Sequence, residues 1–558
     1  MASAAIYLNP EAYNTEVPQL MGRIAAGESF LKGYIRHART DTLRLWNVAA
    51  KPQEELEALV RKLEPTTKPI SWVGRADRAA LRDPGCVYLP VPGVGQEAWA
   101  RRSTVGDHSY SITGVTHTTA TQRVMDSLPQ LLLSPMAPWD ALICTSRAVK
   151  ASVEDQLDAV WDFLEDRVGA RERPPVRLEM IPLGINAADF APKPDERAHW
   201  RKELGIPDDA VVALFVGRLN FVSKMTPIPM AMALERAAAQ TGKEIHWIVC
   251  GWAANEKVEK IYHQETSAFC PSVKYHVLDG RKPEVRFSVW SAADFFLSLS
   301  DNIQETFGLT PVEAMAAGLP CVISDWDGYR DTVRHGQDGF RVSSYAPRPG
   351  LGNDLAFRHA ANWDSYDAYV GAVSQFTAVD LDEATRAVVN LVKDPELRRS
   401  MGDRARQRAV EDFDWSAIIP RYEALWDELD ARRPKTPISR PRRLQGNPWR
   451  LDPYQLFASY PTEALTSGSM IAAVPGVTLA AAMRVLNSPM LSFIKGYMAS
   501  EQEFEMLLGH VTRHRQARVS DIVAQFPPQR RNHMERTLLW LAKYGLVAVV
   551  PRTTSMPG

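Results

Sequence analysis

From Ala4 to about Val392 the chain alternates short apolar runs with longer segments of helical period, and this alternation constrains the fold more than any other feature. Runs that are apolar throughout fit strands buried on both faces, and a chain that spaces such strands with helices builds parallel βα units. Two series can be read. The first holds Ala5-Ile-Tyr-Leu, Cys86-Val-Tyr-Leu-Pro-Val, Tyr110-Ser-Ile-Thr-Gly-Val-Thr-His and Ala141-Leu-Ile-Cys-Thr. The second holds Val211-Val-Ala-Leu-Phe-Val, Ile245-His-Trp-Ile-Val-Cys, Phe295-Phe-Leu-Ser-Leu and Cys321-Val-Ile-Ser, with a helix expected over Met230 to Gln240. The joint falls near Pro182-Leu-Gly-Ile-Asn, and a helical tail over 396–430 ends the α/β part. The expected division is 1–190, 191–395, the tail 396–430, a linker over 431–444 and a mostly helical module over 445–558. The linker is drawn from residues 431 to 443, six basic and three proline with no acid, which suits an extended, solvated connector.

Length alone, 558 residues, allows about three or four domains. Lys plus Arg (65) nearly balance Asp plus Glu (66), so no overall field recruits nucleic acid or anionic lipid. The five cysteines are scattered and never form a CxxC pair, which argues for reduced core thiols over a disulfide framework or a zinc site. The start, Met1-Ala-Ser-Ala-Ala-Ile, carries no secretory pattern, and a cytoplasmic location is the expectation. Ala464 to Met483 lacks charge, but Pro475, Gly476 and several hydroxyls make it too broken to span a membrane; a buried pair of short helices is expected there.

The most informative stretch is Glu305-Thr-Phe-Gly-Leu-Thr-Pro-Val-Glu313, followed by Ala-Met-Ala-Ala-Gly-Leu-Pro320. Thr310, Pro311 and Glu313 fit a capping box with proline at the first helical position, so a helix is expected to start there and stop at Gly318. A helix amino end offers unpaired N–H groups and partial positive charge, and Gly308 lets backbone approach a ligand closely, a combination that suits phosphate. Taken alone, the same residues also fit a structural assignment: Glu313 closing the box and Glu305 a surface carboxylate. Strand Val211–Val216 runs into Gly217-Arg218 and, six positions on, Lys224, at the strand end where open α/β sheets bind ligands. A forked guanidinium and a compact ammonium suit a diphosphate, although an isolated pair on a loop is more often solvated surface.

Gly217-Arg218-x5-Lys224, Glu305-x7-Glu313 and Asp327-Gly328-Tyr-Arg-Asp-Thr-Val together resemble the family 4 glycosyltransferases of GT-B fold, the EX7E type. The resemblance runs from about residue 5 to 430, is strong over 211–342 and thin before 110. It implies two Rossmann-like domains facing a cleft, with the tail at Phe413-Asp-Trp415 crossing back over the first. Arg218 and Lys224 match the pair that binds the donor diphosphate, Glu305 the residue that holds donor-sugar hydroxyls, and Glu313 the acceptor of ribose hydroxyls. The backbone of Phe307, Gly308 and Leu309 would receive phosphate. Gly22, beside Arg23, matches the glycine loop of the first domain only in part, since the usual pair is reduced to one. His117, ending the strand Tyr110–Thr116, matches an active-site histidine, with His108 a lesser competitor.

The resemblance further implies transfer with retention, no metal and no cofactor. The donor would be a nucleotide-diphosphate sugar, a UDP-sugar ahead of a GDP-sugar, with the base met by backbone near Leu278 to Lys282. No DxD-type metal loop and no carboxylate nucleophile is identified, and the acceptor is open among glycan, polypeptide and small molecule. In the last module, helices are expected over 503–511, 518–526 and 528–544, then the strand Leu546-Val-Ala-Val-Val. This order, with Arg530, Arg531 and Arg536 on the last helix, resembles a winged helix, read as protein docking or self-association ahead of DNA binding. A nucleotide-sugar sensor acting through that module on DNA or a partner is the competing function.

Overall fold

The computed structural model describes residues 3–13, 22–49, 51–435 and 446–550. It divides into two compact units, Met1–Pro448 and Trp449–Gly558. The first unit contains two parallel sheets. One has seven strands, β1 (Ser3–Leu8), β2 (Leu43–Asn47), β3 (Ile70–Gly74), β4 (Gly85–Leu89), β5 (Ser111–Val115), β6 (Ala141–Cys144) and β7 (Arg177–Met180), in the order β3-β2-β1-β4-β5-β6-β7. The other has six, β8 (Val211–Arg218), β9 (Ile245–Trp252), β10 (Lys274–Asp279), β11 (Phe295–Ser298), β12 (Cys321–Ser324) and β13 (Gly339–Val342), in the order β10-β9-β8-β11-β12-β13. Both are Rossmann-like, with the strand order reversing between β1 and β4 and between β8 and β11.

Every expected α/β run lies on a strand, with shifted ends. β4 stops at Leu89 because Pro90 has no N–H to give the ladder, and β5 ends at Val115, two residues before His117. All five cysteines are buried and free.

After β13 the chain makes an excursion over residues 344–379, in which β14 (Ser344–Tyr345) pairs antiparallel with β15 (Ala378–Val379). It holds helices Asn353–Ala360 and Tyr366–Gln375, and its ends are tied where Asp380 N–H donates to Ser343 O at 2.8 Å.

The chain crosses between the lobes at Ile181–Pro192 and returns at Ala409–Trp415, and the two crossings are bonded together. Ile185 N–H donates to Phe413 O at 2.9 Å, Trp415 N–H to Ile185 O at 3.0 Å, and Ala187 N–H to the Asp414 carboxylate at 2.9 Å. Helix Trp415–Arg432 then lies on the first sheet, its Trp415, Ile418, Tyr422 and Trp426 sharing a core with Ala4, Ile6 and Tyr88. The helix therefore runs into the expected linker. Arg433 is buried, donating to Gly85 O and, at 3.1 Å, to Ser111 Oγ, because acceptors at the foot of the sheet satisfy its charge. Linker residues 436–444 lie outside the described residues.

In the second unit β16 (Met470–Ala473), β17 (Gln516–Arg518) and β18 (Val547–Val550) form an antiparallel sheet in the order β17-β16-β18. The pair of helices expected over 464–483 is thus replaced by a strand and the start of helix Leu479–Leu486. Val474-Pro475-Gly476, with Gly476 at φ +78°, turns the chain between them. Helices Glu501–His514, Val519–Val523 and Arg531–Lys543 pack Phe504, Ile522, Met534, Leu538 and Leu541 into one core with Ile471. Two of the three expected helices are shorter than their apolar pattern suggested: Arg518 belongs to β17 and the first of them ends at Val523, and a 3-10 turn, Pro528–Arg530, opens the other. No helix among the described residues is long and apolar enough to cross a membrane.

Trp415 is wedged between Gly33 and Gly184: a Cβ at Gly184 would lie 2.6 Å from Trp415 Cδ2. Gly184→Ala is expected to destabilise the first unit by about 2 kcal/mol, read as a lowered urea midpoint at unchanged slope.

Candidate active site

The crevice at the carboxyl ends of β8 and β11 is where an open α/β sheet leaves room for a ligand, since the connections from these neighbours leave in opposite directions. β8 delivers Arg218 to this edge, and the loop after it is shaped by Asn220, whose Oδ1 accepts the N–H groups of Val222 (2.9 Å) and Ser223 (2.8 Å). The turn brings Lys224 Nζ onto Glu305 Oε2 in an ion pair whose side chains are only 16% and 11% exposed. From the β11 side Asn302 fastens both loops, accepting Gln304 N–H at 2.9 Å and donating to Val222 O at 2.9 Å. Gln304 Oε1 in turn accepts from Arg218 Nη2 at 2.6 Å. Burial pushes the Glu305 carboxyl up, but Lys224 and the N–H groups of Thr306 and Phe307 outweigh it and hold the group below the usual range.

Helix Leu309–Ala316 begins two residues before the expected first position, Pro311, and the capping box does not form. Gly308 occupies the N-cap at φ +91°, with no side chain capping the first turn. The cause is Tyr329, whose ring a Cβ at Gly308 would overlap, so glycine is required there by packing. Thr310 is already inside the helix, and the first-turn N–H groups face the β8/β11 edge uncapped by side chains. Glu313, released from the box, makes no carboxylate hydrogen bond among the described residues. Burial raises it to about 7, against a weaker lowering by Arg286.

The first lobe meets this edge directly. His117 O accepts from Thr306 Oγ1 at 3.2 Å, and Arg147 N–H and Nε bind the Asp331 carboxylate at 2.7 and 2.6 Å. Burial first, and Arg23 second, depress the His117 imidazole to about 4, so it is neutral at pH 7. The structure thus brings Arg218, Lys224, Glu305, Phe307, Gly308, Leu309 and the backbone of His117 together, with Glu313 one helical turn behind. Gly22 is placed otherwise than in a loop: it is the exposed first described residue of helix Gly22–His37, and 14–21 lie outside the described residues. His108 sits edge-on to Trp139, ring centroids 5.1 Å apart.

Three site residues have no counterpart in the motif reading, and a fourth, Asp327, stands in its last motif without a role. Asn220, Asn302 and Gln304 shape the loops, and the Asn residues carry a turn signal. Asp327 stands in the left-handed region at φ +43°, its carboxyl raised well above the ordinary range by burial and by Glu305, with Ser146 Oγ at 3.5 Å. No group of three or more His, Cys, Asp or Glu among the described residues is placed to hold a metal ion.

Residues 196–348, spanning every strand of this lobe, match the family described as glycosyl transferases group 1. The D-inositol 3-phosphate glycosyltransferase of Corynebacterium efficiens is 27% identical over 288 residues, 51% of this chain and 58% of the relative. That of Corynebacterium kroppenstedtii is 31% identical over 265 residues, 47% and 50% of the two chains. The chain thus spans about half the length of the curated relatives it matches. Among solved structures, Anabaena HepE in complex with UDP superposes with a TM-score of 0.50 at 15% identity, over 77% of this chain and 100% of that one. The fold is GT-B.

In this GT-B cleft Glu313 gives a test that needs no substrate. Its folded value near 7 exceeds the ordinary 4.5, so the native state holds the proton more tightly than the unfolded chain. The resulting stability is fully present below pH 4.5 and is lost as pH rises through about 7. Glu313→Gln is expected to match the parent at pH 4 and exceed its unfolding free energy by about 1–2 kcal/mol at pH 8, measured by urea titration at both pH values.

Proposed function

We propose that the chain is a retaining, metal-independent glycosyltransferase of the family 4, EX7E type, moving a sugar from a nucleotide-diphosphate sugar to a glycan, polypeptide or small-molecule acceptor. The observation that carries this reading is the convergence of Arg218, Lys224, Glu305 and an uncapped helix start on one sheet edge. Cationic side chains and backbone N–H groups aimed at one place suit the charge that develops on a departing diphosphate. In this reading Arg218 and Lys224 hold the diphosphate, the backbone of Phe307, Gly308 and Leu309 receives phosphate oxygens, Glu305 orients donor-sugar hydroxyls, and Glu313 takes the ribose hydroxyls. The bond from the sugar's anomeric carbon to the distal phosphate oxygen breaks, a bond to the acceptor oxygen forms on the same face, and the acceptor proton leaves with the phosphate. These cations do what a divalent metal does elsewhere. Neutral His117, at the first lobe's edge, would border the transferred sugar. The HepE complex contains UDP, which favours a uridine donor over a guanosine one.

Residues 1–190 would then form the acceptor side, 191–395 the donor side and 396–430 the connection that couples them. Five buried free thiols suit a reducing cytoplasm. We read the second unit as a winged-helix-like module for docking or self-association. The sensor reading is weaker: Arg530 is paired with Glu503 and Arg531 donates to Phe526 O, so these cations are engaged within their own unit.

A panel of UDP- and GDP-sugars tested for thermal stabilisation identifies the donor; no shift with any member would overturn the reading. Lys224→Ala and Glu305→Gln should each lower turnover by about a hundredfold or more with the fold intact, and full activity in either would refute the assignment. Glu313→Ala should weaken nucleotide affinity by about tenfold, measured by titration calorimetry.

A further inference from the structure

We propose that Asp331, on the second lobe, is a positioning residue for the transfer proposed above: its carboxylate caps the amino end of the first-lobe helix Arg147–Val168 and so latches the lobes together over the donor site.

The cap is built from both sides of the cleft. A helix leaves its first N–H groups without partners inside the helix. In Arg147–Val168 the cap residue Ser146 serves one of them, its Oγ accepting Val149 N–H at 3.2 Å. The first, on Arg147, reaches across to the Asp331 carboxylate at 2.7 Å, and Arg147 Nε joins the same carboxylate at 2.6 Å. Asp327, four residues earlier, adds a longer contact, accepting from Ser146 Oγ at 3.5 Å. Two carboxyl groups of one lobe therefore face the positive end of a 22-residue helix of the other. The Arg147 side chain is 72% exposed against 16% for Asp331, so solvent weakens the ion pair and the backbone donor carries the contact.

The turn that bears Asp331 is mounted on the donor loop. A Cβ at Gly328 would overlap Phe307 Cα and lie 2.5 Å from Thr306 O, and one at Gly308 would overlap the Tyr329 ring, so backbone 306–308 and the turn 327–332 pack without slack. From behind, Arg408 Nη2 donates to Asp331 O at 3.1 Å, beside the return crossing. Thr306 itself touches the first lobe twice, donating to His117 O at 3.2 Å and accepting from Thr145 Oγ1 at 3.5 Å. The backbone read above as receiving phosphate is thus joined to the first lobe through Asp331. When the lobes part, the N–H and the carboxylate both return to water, so the latch holds the cleft and still lets substrate enter.

The test measures the separation of the lobes in the full chain without ligand. All five native cysteines are buried, so Arg75→Cys and Ala254→Cys take spin labels selectively; both residues are exposed, one past the carboxyl end of β3 and one past that of β9. Double electron–electron resonance then compares the labelled parent with Asp331→Ala, Arg147→Ala and Arg147→Pro. Proline suits the first position of a helix and has no N–H, so Arg147→Pro breaks the latch from the other lobe and keeps the helix, whereas Arg147→Ala removes only the ion pair. A narrow distance distribution is expected in the parent and in Arg147→Ala. The same shifted or broadened distribution is expected in Asp331→Ala and Arg147→Pro, with no further change when the two are joined and with the parent's urea midpoint. Affinity for UDP and GDP should stay within about twofold of the parent, since the proposed donor groups lie on the second lobe. Release of nucleotide from the donor that the panel identifies should fall about tenfold in kcat at unchanged KM. Parent distances in Asp331→Ala and Arg147→Pro, a change confined to one of the two, or a lowered urea midpoint at parent distances would each overturn the proposal. So would a loss of nucleotide affinity equal to the loss of turnover, which would make Asp331 part of the donor site. A panel that yields no donor refutes the donor reading, and the label distances still decide the latch.

Discussion

The geometry of the cleft depends on a place where the chain bonds to itself between the lobes. Ile185, on the outward crossing, and Phe413 to Trp415, on the return, exchange backbone hydrogen bonds, and Trp415 fills the space that Gly33 and Gly184 leave. Gly33 belongs to helix Gly22–His37 of the first lobe, and Trp415 Nε1 donates to Ser29 Oγ of that helix at 2.8 Å. The return crossing is therefore fixed to the first lobe's core and to the outward crossing at once. Contacts farther along the cleft, Thr306 on His117 and Arg147 on Asp331, follow from an orientation set at this pin.

Within the cleft, each cation of the site is met by a neighbour of its own. Lys224 has Glu305, Arg218 has Gln304, and both pairs lie at the edge between β8 and β11. Breaking a well-buried pair by removing one partner leaves the other charge uncompensated, whereas a polyanion that reaches both cations offers each a replacement. The near-zero net charge of the chain follows the same pattern at a larger scale: positive charge is concentrated locally and balanced nearby, not spread as a field.

The central strands were legible because they are apolar on both faces, as β4, β5, β6, β11 and β12 are wholly buried. The edge strands β7 and β10 were not, since Arg177, Glu179, Lys274 and His276 give them the look of loops. The excursion was missed for a related reason: Pro347, Pro349, Gly350 and Gly352 read as turn residues, and its exposed Tyr345, Phe357, Trp363 and Phe376 show no periodicity. At the site, Arg218, Lys224 and Glu305 stood out by spacing. Gln304 could not, because it matters only through apposition to a residue far away in sequence, Arg218 across 86 positions.

The capping-box pattern shows why one signature served two readings. Thr310, Pro311 and Glu313 have the residue types of a helix start, and sequence alone cannot tell whether Glu313 turns back to the helix or outward to a ligand. Packing decides it: Tyr329 forces Gly308 into the left-handed region, the helix begins immediately after, and the box is left without its cap. An uncapped helix start costs about 1 kcal/mol, a buried carboxyl without a partner costs more, and Asp327 adds a strained backbone nearby. Three departures from local preference in one set of loops, in a lobe whose strands otherwise follow their patterns closely, are difficult to attribute to stability. They leave backbone N–H donors and the carboxyl groups of Glu313 and Asp327 around the edge where β8 and β11 diverge, and a ligand bonded to them would supply the partners that the local structure does not.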